Sequence, residues 1–470
     1  ARAAHGRYKL LYAAPERLRQ RPFLHCLSQA GVSLLVVDEA HCVSLWGHDF
    51  RPDYLFIAKA WKELGRPPIL AMTATATARV RDDIGAALRP MRLVATDLHR
   101  PNLRLEARRY ANNEEKMRAL LALCREIEGS GIVYANSRRR CEELARLLQR
   151  SGVSAIHYHA GVDDRASAQD SFMSGNVRVV VATIAFGMGV DKADVRFIIH
   201  FDPPKTLENY YQEAGRAGRD GLLARCILFH TPGNKGLLTR WSRMDALHVD
   251  WLRQVYAAVR RRLGAENEGL VALGDLERDL AADTTRIRVA IHFLEAAGLL
   301  WRGFDLPRTA SLTLLAEPLA GGADSAPASE PRFPDDVDPE FVCFVKAARL
   351  SHRQTISRDL VGTCRDAGLD SRTIEAKLLE WNEAGLLRYR GVGRDMYVAL
   401  PKPPPDSQAR VAAMLADHRA GQDTRIADIM SYAETKACRH GFISAHFGVR
   451  SIERCEACDN CLGMAAPAPR

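Results

Sequence analysis

The sequence lacks a long apolar run: its 470 residues contain no stretch of about 18 consecutive hydrophobic side chains. It also lacks the basic segment followed by an apolar segment that marks a secretory signal. The first absence excludes a membrane-spanning helix, and the second gives no reason to expect export. We therefore expect a cytoplasmic protein without a membrane partner.

Cysteines spread along the chain in the even-numbered pattern of a disulfide-bonded secreted domain are also missing. Of eleven cysteines, seven are scattered singly and four lie close together near the C-terminus. This is not the pattern of a secreted disulfide framework, and it favours a cytosolic protein with one metal site.

The composition is otherwise ordinary for a globular protein, with 47% hydrophobic and 26% charged residues. The length is enough for about three or four domains. The net charge of +9 and the pI near 9.0 favour a polyanionic partner such as nucleic acid, although an arginine-rich composition alone gives the same balance.

Apolar strands alternate with amphipathic helices along residues 1–236, as in "VRVVVATIAFGMGVD" and "VRFIIHFDPP". Buried strands separated by such helices predict an α/β fold with parallel sheets and helices on both faces. We expect two such domains, at 1–103 and 104–236.

The pattern changes after residue 236 to three helices followed by a short strand, and the order then repeats. This predicts two winged-helix-like α+β domains, a linker rich in alanine, glycine and proline, and a small helical module with the clustered cysteines. The expected ranges are 237–316 and 338–402 for the two domains, 317–337 for the linker, 403–463 for the module and 464–470 for a disordered tail.

The strand "VSLLVVDEA" ends in Asp38 and Glu39. In an open α/β sheet the carboxyl ends of the strands form the ligand-binding edge. There Asp38 is suited to hold Mg²⁺, and Glu39 to orient and deprotonate a water molecule that attacks a phosphate. For an isolated Asp-Glu pair, a solvated acidic turn is the ordinary alternative.

Cys438, Cys455, Cys458 and Cys461 have the spacing C-x16-C-x2-C-x2-C. Three thiolates at two-residue gaps can surround one ion, and the fourth then comes from a preceding helix. Four sulfur ligands in a tetrahedron suit Zn²⁺. Free thiols and an iron–sulfur cluster are the alternatives.

Several further segments carry a resemblance to a known family. They are "LLYAAPERL", "DEAH", "CVSLWGHDFRPDYL", "TAT", "HYHAGV", "ATIAFGMGVDKADVRFIIH" and "YYQEAGRAGRDG". Over about residues 8–235 the chain resembles the RecQ family of superfamily 2 DNA helicases. The resemblance implies two RecA-like domains, ATP and Mg²⁺ as ligands, and a location in the bacterial cytosol or nucleoid.

The resemblance also implies roles for residues around the nucleotide. Arg219 corresponds to an arginine finger and Arg216 to a second γ-phosphate contact, while Gln212 and Asp191 line the cleft between the two domains. His41 is expected to connect the DNA and ATP sites without touching ATP.

Three groups of residues are expected to contact DNA. The resemblance implies that the aromatic-rich loop after the acids senses single-stranded DNA, and two helix or loop starts are expected to contact the DNA backbone. The third group comes from the residues themselves: a basic, glycine-containing hairpin at Leu387–Val398 that could separate a duplex or grip phosphates. Each group has an ordinary alternative. Trp46 could be buried in a core, the helix starts could simply be exposed, and the hairpin could be a solvated hairpin without a ligand. The residues are Trp46, Phe50 and Arg51; Ser137, Arg138 and His159; and Arg388, Tyr389, Arg390 and Arg394.

A phosphate-binding loop of the form G-x-x-x-x-G-K-[ST] is absent from residues 1–470. The family places it before the "PERL" segment. We therefore expect that Ala1 is not a natural start and that the first sheet is incomplete. The alternative is a protein that does not hydrolyse ATP.

The function expected from the resemblance is an ATP-dependent DNA helicase that moves 3′ to 5′ and unwinds duplex DNA in repair or recombination. Its partners would be single-stranded DNA and duplex junctions. An ATPase-deficient DNA-binding module or regulatory truncation is the alternative, and an RNA helicase is disfavoured by the aromatic loop and the cysteine spacing. The order of the parts departs from that of the family in one respect. About 190 residues separate the second α/β domain from the cysteines, whereas the family places the cysteines directly after that domain.

Overall fold

The structure of the protein is a computed structural model that describes residues 6–47, 49–187, 190–317, 333–334, 337–450 and 452–463. The expected tail and most of the expected linker lie outside these residues. Among the described helices, none combines the length and the hydrophobicity of a membrane crossing. Four parts are named below: the N-terminal unit (6–100), the second unit (101–245), the insert (246–400) and the C-terminal module (401–463).

The N-terminal unit contains short elements around one small core. They are a 3-10 helix at Pro15–Arg19, α1 (Arg21–Ala30), β1 (Leu35–Val37), 3-10 helices at Ala40–Val43 and Pro52–Phe56, α2 (Ile57–Glu63), β2 (Ile69–Ala71) and α3 (Ala78–Ala87).

Strands β1 and β2 pair in parallel, with Leu35 opposite Ile69. They form a two-stranded sheet within the described residues. On one face of this sheet two neighbouring apolar side chains are exposed to solvent: Val36 is 44% and Leu70 is 46% exposed. The other face contributes Val37 to the core of the unit.

The second unit alternates strands and helices. They are β3 (Leu103–Arg109), α4 (Asn113–Glu126), β4 (Ser130–Tyr134), α5 (Arg138–Arg150), β5 (Ala155–Tyr158), α6 (Arg165–Met173), β6 (Val179–Ala182), β7 (Val195–His200), α7 (Leu207–Ala214), β8 (Ala224–His230) and α8 (Asn234–Asp245).

Its six strands pair in parallel in the order β3-β8-β7-β4-β6-β5. Each face of the sheet is covered by its own apolar core. Central strands such as β6 are buried on both sides, which is why they are continuous runs of small β-branched residues. Side chains cap the helix starts, for example Thr206 at α7, which accepts a hydrogen bond from Asn209 N. The expected α/β class with parallel sheets is confirmed.

The insert combines six helices with an antiparallel sheet. Its elements are α9 (Val249–Leu263), β9 (Glu268–Val271), α10 (Leu273–Leu280), α11 (Thr284–Ala296), β10 (Trp301–Leu314), α12 (Pro339–Ala348), β11 (Thr355–Asp359), α13 (Leu360–Ala367), α14 (Ile374–Glu383) and β12 (Leu387–Ala399).

The four strands have the order β11-β10-β12-β9. Helices α9–α11 pack on one end of this sheet and α12–α14 on the other, each group around its own core. The two groups therefore share the long strands β10 and β12. They are not two separate domains with a hairpin each.

The expected basic hairpin at Leu387–Val398 is wrong, because these residues lie in one continuous strand. Strand β12 pairs with β10 along its whole length. Gly391 does not form a turn but sits opposite Ala310, where a Cβ atom would lie 3.0 Å from Cβ of Pro307. The glycine therefore allows two strands to approach each other closely.

The C-terminal module consists of α15 (Ser407–Glu434), α16 (Arg439–His446) and α17 (Asp459–Leu462). The 28-residue helix α15 contributes to two cores. Val411 and Leu415 near its start belong to the core of the insert, and Ile429 and Met430 near its end belong to a core of the second unit. Since α15 also packs against α8, the insert interrupts two helices that are neighbours in space.

The insert binds the N-terminal unit through a buried ionic cluster around Asp53, which is 2% exposed. Nε of Arg19 lies 2.5 Å from Asp53 Oδ1, and Arg302 and Arg288 of the insert contact the same carboxylate. Burial alone would raise the pKa of Asp53, but the three guanidinium groups overcome it and lower this pKa below its ordinary value.

An aromatic contact accompanies this cluster. Phe304 of β10 is 4% exposed and lies within the core of the N-terminal unit. Its ring meets that of Phe56 edge to face at 5.1 Å, and the guanidinium of Arg21 lies 4.1 Å from its centroid. The insert and the N-terminal unit therefore share a continuous interior.

Replacing Asp53 by asparagine should lower the free energy of unfolding by about 3–5 kcal/mol, because the buried guanidinium groups of Arg19 and Arg302 lose the carboxylate that they share. Thermal unfolding monitored by circular dichroism measures the effect. Asp245→Asn is the matched control, since its ion pair with Lys205 is exposed and should contribute less than about 1 kcal/mol. Equal melting temperatures for the two variants would contradict the structural role given to Asp53.

Candidate functional site

Asp38 and Glu39 lie at the carboxyl end of β1, where the chain leaves the sheet. Glu39 adopts a left-handed backbone conformation with φ 49°. The Oδ1 atom of Asp38 accepts a 2.9 Å hydrogen bond from Glu39 N, and the hydroxyl of Tyr54 donates to the Asp38 carbonyl oxygen. The Asp38 side chain is exposed and that of Glu39 is half-buried. Both carboxylates are thus fixed at a surface that a ligand can reach.

His41 connects Glu39 to the strand that follows. It is 2% exposed. Its Nδ1 atom lies 3.2 Å from Glu39 Oε2 and 3.0 Å from Oγ1 of Thr73, the first threonine of the "TAT" segment. His41 therefore joins Glu39 to the "TAT" segment.

Gln212 brings the second unit to this site. Its Nε2 atom donates a 3.4 Å hydrogen bond to Oε1 of Glu39. Gln212 lies on α7 of the second unit, so this contact spans the two units. The structure therefore joins two residues that the sequence places 173 positions apart.

The two arginines that follow Gln212 have partners within the second unit. Arg216 is 8% exposed and donates to the carbonyl oxygen of Gly187. A Cβ atom at Gly187 would lie 2.9 Å from the Arg216 guanidinium, so a larger residue there would push this side chain away. Arg219 is exposed and forms an ion pair with Asp191.

The aromatic loop is covered more than the sequence suggests. Trp46 and Phe50 are half-buried. A guanidinium, from Arg79, lies 3.2 Å from a ring centroid of Trp46, and a Cβ atom at Gly421 of α15 would lie 2.5 Å from the same side chain. Trp46 is therefore partly covered by side chains from α3 and α15.

Two further contacts hold the loop in place. Arg425 of α15 donates a 2.8 Å hydrogen bond to the Gly47 carbonyl oxygen. The ring of Phe50 lies 5.1 Å from that of His292 on α11. Arg51 pairs within the loop, with Nη2 2.9 Å from Asp49. Both covering helices come from distant parts of the sequence, which is why local composition did not reveal them.

Ser137, Arg138 and His159 converge at the carboxyl ends of β4 and β5. Ser137 caps α5, and a guanidinium atom of Arg138 lies 3.3 Å from where a Cβ of Gly161 would be. His159 is 4% exposed, and its Nδ1 accepts a hydrogen bond from Gly161 N. The two exposed residues can reach a ligand, whereas His159 orders the loop beside them.

The four residues of the expected wing separate onto two faces of β12. Arg388 and Arg390 are exposed. Tyr389 and Arg394 face the other way and bind Glu375, which is 0% exposed, with Arg394 Nη1 3.0 Å from Glu375 Oε2. Placing all four on one DNA-binding surface is therefore wrong: Tyr389 and Arg394 satisfy a buried carboxylate.

The four cysteines form a compact cluster. The Sγ atoms of Cys438, Cys455, Cys458 and Cys461 all lie within 4.8 Å of one another. Backbone N–H groups point at the sulfurs, including Arg439 N to Cys458 Sγ at 3.5 Å. Four thiolates converging on one point with amide donors around them fit a tetrahedral Zn²⁺.

The cluster is fixed to the second unit. Arg439 forms a buried ion pair with Asp459, whose Oδ2 accepts a hydrogen bond from Ala107 N of β3. His440 Nε2 lies 3.0 Å from the Leu103 carbonyl oxygen, and burial lowers the pKa of His440 to about 4. This contact ties His440 to β3 of the second unit.

His446 and Glu208 form a second link between the C-terminal module and the second unit, with 3.0 Å between Nε2 and Oε1. Burial alone would raise the pKa of Glu208, but the hydrogen bond from His446 dominates and lowers it to about 2. Burial likewise opposes protonation of His446, yet Glu208 raises the pKa of His446 above 6.5. Sequence analysis missed Glu208, Glu375 and Asp53, because nothing local marks a buried acid whose partners lie far along the chain.

Three family models match this chain. A DEAD/DEAH box helicase model matches residues 1–84, a helicase conserved C-terminal domain matches 115–221, and a RecQ zinc-binding model matches 407–462. The insert thus lies between the second and third matches.

Curated relatives are similar over about half of the chain. The ATP-dependent DNA helicase RecQ of Pasteurella multocida is 45% identical over 240 residues, which are 49% of this chain and 37% of that protein. The probable ATP-dependent DNA helicase RecS of Bacillus subtilis is 38% identical over 291 residues, 61% of this chain and 58% of that protein. The ATP-dependent DNA helicase Q5 of Mus musculus is 44% identical over 250 residues, 49% of this chain and 25% of that protein. The chain therefore spans less than two thirds of the length of each.

Gly441→Ala should disrupt the cysteine cluster, because a Cβ atom there would lie 2.0 Å from the Ile452 carbonyl oxygen. We expect less bound zinc per chain and a loss of about 2 kcal/mol or more in stability. Zinc content by atomic absorption and thermal unfolding measure both effects. Gly236→Ala in α8 is the control, since nothing lies within 4 Å of its Cβ position; full zinc content in Gly441→Ala would contradict the packing argument.

The His446–Glu208 pair should make stability depend on pH. The raised pKa of His446 gives a contribution that is complete below about pH 6.5 and is lost as the pH rises through the folded value. The lowered pKa of Glu208 gives a contribution to stability that is complete above about pH 4.5 and is lost only toward pH 2. Between about pH 4.5 and pH 6.5, the melting temperature of Glu208→Gln should therefore fall furthest below that of the unsubstituted chain. The difference should shrink in alkali. A difference independent of pH would show that His446 is neutral throughout.

Proposed function

The chain belongs to the RecQ family of DEAD/DEAH-box helicases, and from that premise we propose that it forms the greater part of an ATP-dependent DNA helicase motor. The motor would move 3′ to 5′ along single-stranded DNA and unwind duplex DNA in repair or recombination. The sections of the chain that carry this proposal are the N-terminal unit, the second unit and the C-terminal module.

The observation that supports the proposal most directly is the contact between Gln212 and Glu39 across the two units. It brings the acids of the first unit to the helix that leads into Arg216 and Arg219. A site divided between two units can change when the units move relative to each other. Such a division is what coupling of nucleotide hydrolysis to movement requires.

Each residue of this site has a role that its chemistry supports. Asp38, exposed at the end of β1, would hold Mg²⁺, which neutralises phosphate charge when it is bound with the nucleotide. Glu39 would accept a proton from the attacking water, held in orientation by His41. The Gln212 amide would leave Glu39 and contact the nucleotide when ATP enters.

Arg216 and Arg219 would neutralise the charge that develops on the transferred phosphoryl group. In this arrangement both have other partners, the Gly187 carbonyl oxygen and the Asp191 carboxylate. We propose that ATP binding replaces these partners. The exposed ion pair of Arg219 can exchange at low cost, which makes it the better candidate for the finger.

DNA would cross both units. Ser137 and Arg138, exposed at the start of α5, would contact its phosphates. Trp46 and Phe50 would stack on bases, which requires them to leave Gly421 and His292. The four cysteines would hold Zn²⁺ in a structural role that keeps the C-terminal module on the second unit.

The proposal concerns a longer protein than these 470 residues, because they contain no phosphate-binding loop. The alternative candidate is a DNA-binding module without ATPase activity. The two candidates differ in one measurable property, the hydrolysis of ATP stimulated by DNA.

Glu39→Gln, made in the longer protein, should reduce DNA-stimulated ATP hydrolysis by about a hundredfold or more, because the amide cannot accept the proton of the attacking water. Binding of single-stranded DNA should stay within about twofold of the unsubstituted protein, since Glu39 contacts no DNA in the proposed arrangement. Phosphate release and fluorescence anisotropy measure the two quantities, and unwinding of DNA and RNA duplexes defines the substrate.

Glu63→Gln is the matched control, because Glu63 lies in the same unit with only a 3.6 Å surface contact to Arg21. It should hydrolyse ATP normally. Normal turnover by Glu39→Gln would overturn the role of Glu39. No hydrolysis by the unsubstituted longer protein would establish the DNA-binding module instead.

A further inference from the structure

The insert carries a largely polar sheet surface that the proposed motor does not use. Three neighbouring strands, β12, β10 and β11, align their side chains in rungs across the sheet. The rungs are Arg388–Thr313–Thr355, Arg390–Ser311–Ser357 and Val392–Thr309–Asp359. We call the side of the sheet with these nine residues the polar sheet face.

The opposite side of the same strands is apolar and covered by helices α12–α14. Leu312 and Ala310 belong to that core, and Ile356 packs against it. The alternation along each strand assigns the polar residues to the other side. Arg388, Arg390, Thr355 and Ser357 are exposed there, so the described residues leave this part of the face open to solvent.

The chemistry of the face is that of a hydrogen-bond donor array. Arg388 and Arg390 have no ion-pair partner among the described residues. Five hydroxyl groups lie beside them, and those of Thr313 and Thr355 are 2.7 Å apart. The one acid, Asp359, accepts a 2.8 Å hydrogen bond from Gly362 N and caps α13. The arginine side of the face is therefore positive.

The face also unites two basic segments that are separate in the sequence. One is 349–360, which includes β11, and the other is 387–398, which is most of β12. Strand β10 lies between them. Strands are about 4.8 Å apart and alternate residues about 6.8 Å apart along a strand, so the donors form a regular grid.

We propose that the polar sheet face binds the phosphate backbone of duplex DNA. Guanidinium and hydroxyl groups are the side chains that contact phosphate oxygens in protein–DNA complexes. The face has no aromatic side chain on which bases could stack, which disfavours single-stranded DNA. Binding here would be independent of sequence and would place the duplex on the insert, outside the cleft between the two units. The proposal rests on the proposed function only for the choice of DNA as polyanion.

The test uses the 470-residue chain without nucleotide and a short blunt-ended DNA duplex of mixed sequence. Arg388→Ala/Arg390→Ala should weaken duplex binding about tenfold at moderate salt. The slope of log K against log salt concentration should become shallower by about 1.8, because two phosphate contacts are lost. Fluorescence anisotropy over a salt series gives both values, and circular dichroism and zinc content verify folding.

Two further variants separate a local effect from a general loss of charge. Arg253→Ala/Arg278→Ala removes the same charge from other helices of the insert, where both arginines pair with an aspartate. It should leave duplex affinity within about twofold. Thr355→Val/Ser357→Ala keeps the charge, and it should weaken binding about threefold with an unchanged slope.

An unchanged salt slope in the Arg388/Arg390 variant would overturn the proposal, as would an equal loss in the Arg253/Arg278 variant. An equal loss for single-stranded DNA of the same length would also overturn it and assign the face to single strands. Since neither hydrolysis nor unwinding is measured, a failed helicase proposal would leave this result intact. Likewise, if the protein is an active helicase but the Arg388/Arg390 variant keeps the salt slope, only the proposal for the polar sheet face is refuted.

Discussion

The buried carboxylate of Asp53 is the constraint on which the arrangement of the parts depends. One acid from the N-terminal unit accepts contacts from three guanidinium groups, two of which belong to the insert. Removing this charge takes the shared carboxylate away from two buried guanidinium groups, those of Arg19 and Arg302. The position of the insert, and with it the cover over the aromatic loop, follows from this cluster together with Phe304.

The place of the insert explains why the order of domains departs from that of the family. Helices α8 and α15 pack against each other, and the insert occupies the connection between them. The C-terminal module therefore contacts the second unit through α15, α16 and the cysteine region as if the chain were continuous. A large segment can enter at such a connection because it adds length to a surface loop and leaves the helix pair intact.

The features that were predicted correctly from the sequence depend on neighbours along the chain. The four-cysteine spacing, the acids at the end of a strand and the alternation of the parallel sheet are all local patterns, and the structure contains each of them. The errors arose from partners far away. The expected hairpin of β12 is a strand because β10, 73 to 98 residues earlier, pairs with all of it. Trp46 is covered by Gly421, and Tyr389 faces inward because Glu375 needs a donor. No local signal encodes such partners.

Helix α15 acts as a stiff rod about 42 Å long, since 28 residues rise about 1.5 Å each. One end lies in the core of the insert, the other in that of the second unit, and its middle contacts the aromatic loop. If the second unit turned by about 10° with its end of the rod, the far end would swing by about 7 Å, more than side-chain contacts tolerate. Rotation between the two units must therefore either carry the insert along or uncover Trp46, so that the rod transmits motion mechanically between three parts of the chain.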